Sequence, residues 1–247
     1  SSYPHEILHN WWGNGVYVAR ESGNWSEGLT AYLADHLLAE QKGGGSAYRQ
    51  DALQKYADYA SRAKDFPLSG FRERHSPATE AVGYGKALML FHMVRRELGD
   101  DVFVKGLRAL YAGKKFQRAS FDDIRRAFEA AAGRDLAATF TPWVVRAGAP
   151  RLRLRDVTAA PGDGGSWRVH GIIDQTQDAA PYALAVPIAL TLEGRDTASQ
   201  SVVRSTAKET LFELTVPTRP VRLDVDPEFD LFRRLDVEEA PPALSGA

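Results

Sequence analysis

At 247 residues, 44% hydrophobic and 26% charged, the chain has the make-up of a globular protein long enough to bury a core and to divide into two domains. Lys and Arg number 20 against 17 Asp and Glu in residues 1–147, and 11 against 15 in residues 148–247, so neither part is basic enough to suit a nucleic-acid binder. Cysteine is absent, which excludes disulfides, thiolate metal sites and a cysteine nucleophile; a metal ion here has to be held by His and carboxylate. No run of 18 apolar residues offers a bilayer span.

In chain order, the first 148 residues read as helices. The opening His5-Glu6-Ile7-Leu8-His9 is one candidate, and Trp25 to about Glu40 and Tyr48 to about Ala63 have helical spacing, separated by a Gly43-Gly44-Gly45-Ser46 segment that reads as a flexible loop. Tyr84, Ala87, Leu88, Phe91 and Leu98 line one face of a helix from about Glu80 to Leu98. Val102, Phe103, Leu107 and Leu110 mark the next helix, Phe121, Ile124 and Phe128 another, and Leu136, Phe140 and Val144 the last. Gly99, Gly113 and Gly133 stand where these helices should end.

After Gly148-Ala149-Pro150 the hydrophobic period falls to two. Tyr182, Leu184, Val186, Ile188, Leu190 and Leu192 alternate along a half-buried strand; shorter runs surround Leu152, Val169, Leu211 to Leu214 and Val221 to Val225. Nine of the 13 prolines fall in residues 150–247, which suits a small antiparallel β-sandwich. The expected class is α+β: a helical lobe over 1–148, a β-sandwich over 149–237, and a disordered tail over 238–247.

His5-Glu6-Ile7-Leu8-His9 is an H-E-x-x-H motif. Four residues advance a helix by about 400°, so His5 and His9 project from one face and can share a metal ion, while Glu6, about 100° away, stands beside that ion as a proton acceptor for water. A catalytic zinc site takes three protein ligands, and Glu27, early in the next helix, is the candidate for the third. Alone, Glu27 also reads as a carboxylate favoured by a helix N-terminus, and Tyr84 as a core aromatic. His36, His92 and His170 lack partners at metal spacing and read as surface or packing residues, and His75 as a solvated loop histidine. Trp11, Trp12 and Trp25 read as packing around the first helix.

His5-Glu6-Ile7-Leu8-His9-Asn10-Trp11-Trp12-Gly13-Asn14 followed by Trp25-Ser26-Glu27-Gly28 resembles the zinc signature of the M1 metallopeptidases, the gluzincins of alanyl aminopeptidase and leukotriene A4 hydrolase type. Gly83-Tyr84-Gly85-Lys86-Ala87 is similar to the family's Tyr-x-Lys-Gly segment, and Trp143 to Pro150 to its Trp-x-x-x-x-Gly-x-Pro ending, so the likeness extends over most of residues 1–155. The resemblance implies a zinc ion held by His5, His9 and Glu27, Glu6 as general base, Tyr84 as donor to the oxyanion, and a peptide substrate cleaved from its amino end. Three departures stand out. Seventeen residues separate His9 from Glu27 where the family usually has 18, Ser26 replaces a common Asn, and the family's Gly-x-Met-x-Asn strand has no counterpart, from which we expect a longer parent protein. A structural or vestigial metal site, and another metal-dependent hydrolase on the same scaffold, remain alternatives at this stage, and membrane attachment, oligomeric state and compartment are left open.

Overall fold

The computed structural model describes residues 3–61, 63–236 and 238–239. The chain forms two compact units: residues up to Gly148 together with the segment from Arg234, and Ala149–Arg233. The first is helical and the second an antiparallel β unit, an α+β arrangement. Residues 240–247, most of the expected disordered tail, lie outside the described residues. No helix among the described residues is long and apolar enough to cross a membrane.

In the first unit the described residues carry seven helical rods. The first is α1 (Tyr3–Leu8). The second joins α2 (Ser26–Ala31) to α3 (Leu37–Gln41) through a π-helical turn at Tyr32–His36. The third is α4 (Gly45–Tyr59). The fourth joins α5 (Pro77–Glu80) to α6 (Ala87–Leu98) through a second π-turn, Ala81–Lys86. Then come α7 (Asp100–Lys114), α8 (Phe121–Ala132) and α9 (Ala137–Val145).

Helix α6 is the core element, burying Ala87 to His92 in succession. Ser120 caps α8 reciprocally with Asp123, leaving two first-turn donors satisfied, and Gly133 ends it with left-handed backbone (φ 68°). Two expectations need correction. Gly113 lies inside α7, which runs on to Lys114. The Gly43–Ser46 loop is also shorter than expected: Gly45 already begins α4, because it packs under Glu40 and the Arg49 guanidinium where a Cβ would be crowded to 3.1–3.2 Å.

Strands β1 (Tyr17–Val18) and β2 (Arg118–Ala119) pair in parallel. The Trp25 indole donates to the Ala119 carbonyl at 2.7 Å, so β2 pins the chain between α1 and α2 at both ends.

In the second unit β3 (Leu152–Pro161), β4 (Trp167–Gln175) and β7 (Glu209–Val216) form one sheet in the order β3-β4-β7. The other, in the order β6-β5-β8, is built from β5 (Leu184–Leu192), β6 (Ser199–Ser205) and β8 (Pro220–Val225). Buried Gln175 bridges chain segments by donating to the Tyr182 carbonyl and Ser205 hydroxyl while accepting from Tyr182 N–H. Asp226 Oδ1 accepts from the Asp230 and Leu231 amides and Oδ2 from Arg233, which makes the acidic stretch a built turn. This unit closes at Arg233 instead of residue 237. Arg234 already belongs to the first unit, donating to the Ala57 and Ala60 carbonyls at the end of α4 and lying 4.8 Å over the Tyr56 ring.

Candidate metal centre and active site

Helix α1 is short, and its inward face is polar. His5 is buried and donates from Nδ1 to Asp35 Oδ2 at 2.8 Å. One turn on, His9 donates from Nδ1 to the Trp12 carbonyl at 2.9 Å. A carbonyl oxygen only accepts, so the His9 proton sits on Nδ1. Both rings thereby turn Nε2 to the same point, and Glu27 Oε2 lies 3.5 Å from each. The three ligating atoms fall within 4.8 Å of one another. Donors about 2.0–2.1 Å from a tetrahedral zinc stand about 3.3–3.4 Å apart, so the two 3.5 Å separations and the N, N, O donor set fit that ion. His5, His9 and Glu27 would hold it.

Glu27 reaches this point through a chain of local ties. Asn24 donates its backbone N–H to the Phe71 carbonyl and its side-chain amide to the Arg72 carbonyl. Ser26, where an Asn was more usual, gives both its amide and its hydroxyl to Asn24 Oδ1. The turn into α2 is thus fixed from within. Between His9 and Glu27 the chain runs through the Gly13 to Val16 turn and the two-residue β1.

Tyr84 comes from the second π-turn, stacked 6.3 Å from the His5 ring, and lines the same cavity as Glu27. Phe71 meets it edge-on at 6.0 Å, and the Arg74 guanidinium lies 5.7 Å over its ring. Glu6 is exposed at the mouth of the site. A cavity of about 510 Å³ is lined by His5, Glu6, His9, Glu27, Asp35 and Tyr84. A second cleft, of about 590 Å³, shares Glu6, His9 and Glu27 and continues past Glu21 and Arg20. His9 and Glu27 therefore stand where two clefts meet, with His5 in the first.

The electrostatics follow the contacts. Hydrogen bonds to Asp35 and then Glu27 raise the His5 pKa to about 9, against the opposing effect of burial. His9 moves up as well, chiefly through Glu27. For Glu27 burial works toward neutrality, but His5, His9 and Tyr84 outweigh it and hold the carboxyl well below the usual range. Burial, then the Glu27 carboxylate, pushes the Tyr84 phenol above its ordinary value, so it keeps its proton and can donate throughout the neutral range.

All five sequence candidates line this one cavity. Asp35 was not among them. In an ideal α-helix residue 35 lies about 80° round from residue 27; the π-turn at Tyr32–His36 changes the phase and aims Asp35 at His5, and no sequence pattern announces such a turn. Trp12 and Trp25 pack edge to face beside the site, whereas Trp11 is largely exposed. His36 and His92 are fully buried in a cluster with Glu40 and so do have partners at metal-capable spacing. His75 and His170 are exposed and pair with Glu73 and Glu213.

An H-E-x-x-H helix, a glutamate from the following helix and an adjoining tyrosine define a metallopeptidase-type centre. The profile of the peptidase family M1 domain matches residues 3–143, and the chain belongs to that family. Mitochondrial aminopeptidase 2 of Saccharomyces cerevisiae is 25% identical over 223 residues, covering 87% of this chain and 23% of its own length. Aminopeptidase N of Lactococcus lactis is 25% identical over 155 residues, 59% of this chain and 18% of its own. Among solved structures, Legionella pneumophila aminopeptidase A in complex with aspartic acid shares the fold with a TM-score of 0.63 at 17% identity, covering 94% of this chain and 26% of the other. This chain thus spans about a quarter of the length of such relatives.

Proposed function

We propose that this chain supplies the metal centre of a zinc-dependent peptidase acting at the amino end of peptides. The convergence of His5, His9 and Glu27 beside the junction of two clefts carries the reading. A structural zinc is enclosed by four protein ligands, whereas three ligands facing open space leave room for water and substrate. When bound, zinc polarises the substrate carbonyl and acidifies water. Glu6, at the mouth of both clefts, accepts the proton of the attacking water and returns it to the leaving amine. Tyr84, held protonated, donates to the carbonyl oxygen as that oxygen gains charge. Asp35 and the Trp12 carbonyl hold the two imidazoles in the tautomer that leaves Nε2 to the metal. The named activities of the relatives support the exopeptidase assignment.

The test is hydrolysis of aminoacyl chromogenic substrates by the full-length protein and its Glu6→Gln variant, with zinc content measured in both. Loss of a general base is expected to lower kcat about 10²–10⁴-fold with zinc retained. Wild-type turnover in the variant would remove Glu6 from the chemistry.

A further inference from the structure

The π-turn that aims Asp35 at His5 carries His36 as its next residue, pointing into the core. His36 is fully buried, stacked 5.0 Å from the Tyr32 ring at the other end of the same turn, and its Nε2 lies 2.9 Å from Arg49 Nη1. A guanidinium has only donors, so His36 Nε2 is the acceptor. Arg49 belongs to α4 and is itself buried. Glu40 joins the cluster, 3.7 Å from His36 and 3.9 Å from Arg49, and accepts from Arg95 at 2.9 Å. His36, Glu40 and His92 are close enough to hold a cation of their own. The guanidinium, however, already occupies the lone pair a metal would need, and the cluster works as a clamp on the turn.

We propose that Arg49, through its hydrogen bond to His36, is a positioning residue for the metal ligand His5: it fixes the π-turn in the phase that presents Asp35 to His5 Nδ1. A π-turn is a costly, phase-shifted piece of helix that persists only where surrounding contacts determine it. Here those contacts are on its buried side, and their effect is read on the opposite side, at the metal. The inference rests on the zinc reading above.

Metal affinity decides it, measured on folded protein by chelator competition with zinc and by the visible absorption of the cobalt-substituted site. Arg49→Met is expected to weaken zinc about tenfold and to change the cobalt spectrum, and Arg49→Lys, which keeps one donor, to restore most of both. Phe140→Leu, in α9 against Phe121, serves as a control that lowers Tm and leaves zinc affinity unchanged. His36→Gln, whose amide oxygen can still accept from Arg49, is expected to stay within about threefold of wild type, and His36→Leu to fall about tenfold. Wild-type zinc affinity in folded Arg49→Met overturns the proposal, as does an equal loss in Phe140→Leu or equal affinity of the two His36 variants. If wild type binds zinc no more tightly than Glu27→Gln, the zinc centre itself fails, which is a separate result.

Discussion

Gly28 and Ala87 lie so close that a Cβ placed on Gly28 would come within 2.2 Å of the Ala87 Cβ. Gly28 follows the ligand Glu27, and Ala87 begins α6 directly after the π-turn that holds Tyr84. This close approach seats the start of α2 against that π-turn, which is how Glu27 and Tyr84 come to line one cavity. On helix propensity alone, Gly28→Ala would gain about 1 kcal/mol. Overpacking costs about 1–3 kcal/mol and is expected to win, lowering stability and separating Glu27 from Tyr84. Urea unfolding and zinc titration of Gly28→Ala and of Gly28→Ala/Ala87→Gly check this: the double variant should recover much of both. No loss in the single variant would mean that the helices have slack here.

Asp35 is the outer partner of His5 and should be felt through the metal. Removing a carboxylate that orients a ligating imidazole typically costs 10–100-fold in metal affinity. Asp35→Ala is expected to fall in that range while secondary structure stays intact, because Asp35 is only partly buried and at the edge of the cavity. Competition against a zinc-binding dye measures it. An unchanged affinity would show that the 2.8 Å bond does not orient His5.

Helix positions and the switch to strands after Gly148 could be placed from short-range periodicity, and His5, Glu6 and His9 from a motif with fixed helical geometry, whereas Glu27 became a candidate only beside that motif and Tyr84 only through the family resemblance. What was illegible depends on long-range contact or on a change of helical phase. Asp35 and His36 come from a π-turn, and Gly28 matters only through Ala87, some 60 residues away in sequence. Strand β6 is polar outside Val202 and Val203 and is recruited by pairing with β5. Arg234 ends the β unit early because Ala57 and Ala60 offer it carbonyls that no pattern around residue 234 reveals.

Metal binding should depend on pH through His5. Without metal, Asp35 and Glu27 hold that imidazole protonated up to about pH 9, and a cation must replace the Nε2 proton. Zinc affinity is therefore expected to rise with pH through neutrality and to level off above pH 9. The sign for the metal-free fold is opposite: with the folded pKa above the reference value of 6.5, this stabilisation is complete below pH 6.5 and lost as pH rises through 9. Titration calorimetry in buffers of different ionisation enthalpy should show at least one proton released per zinc at pH 7, since His9 is raised as well. Affinity that is flat from pH 6 to 9 would contradict it.

Lys86 offers a test of the scaffold instead of the site. It is fully buried, and Nζ donates to the Arg146 carbonyl at 2.7 Å and the Gly148 carbonyl at 3.1 Å, tying the end of α9 to the second π-turn. Burial lowers its pKa to about 8 from 10.5, against the opposing pull of Asp65. Below pH 8 both folded and unfolded chains carry the proton, and folding bears the whole cost of desolvating an ammonium. Between pH 8 and 10.5 the unfolded chain binds more protons, so stability rises with pH, by at most about 3 kcal/mol for 2.5 units. Lys86→Met keeps the bulk and loses both the charge and the two donors, and every other titrating group is common to the two proteins. The stability of wild type relative to Lys86→Met should accordingly grow across that interval in urea unfolding at pH 7, 8, 9 and 10. A difference independent of pH would mean that Lys86 stays charged in the fold across that interval.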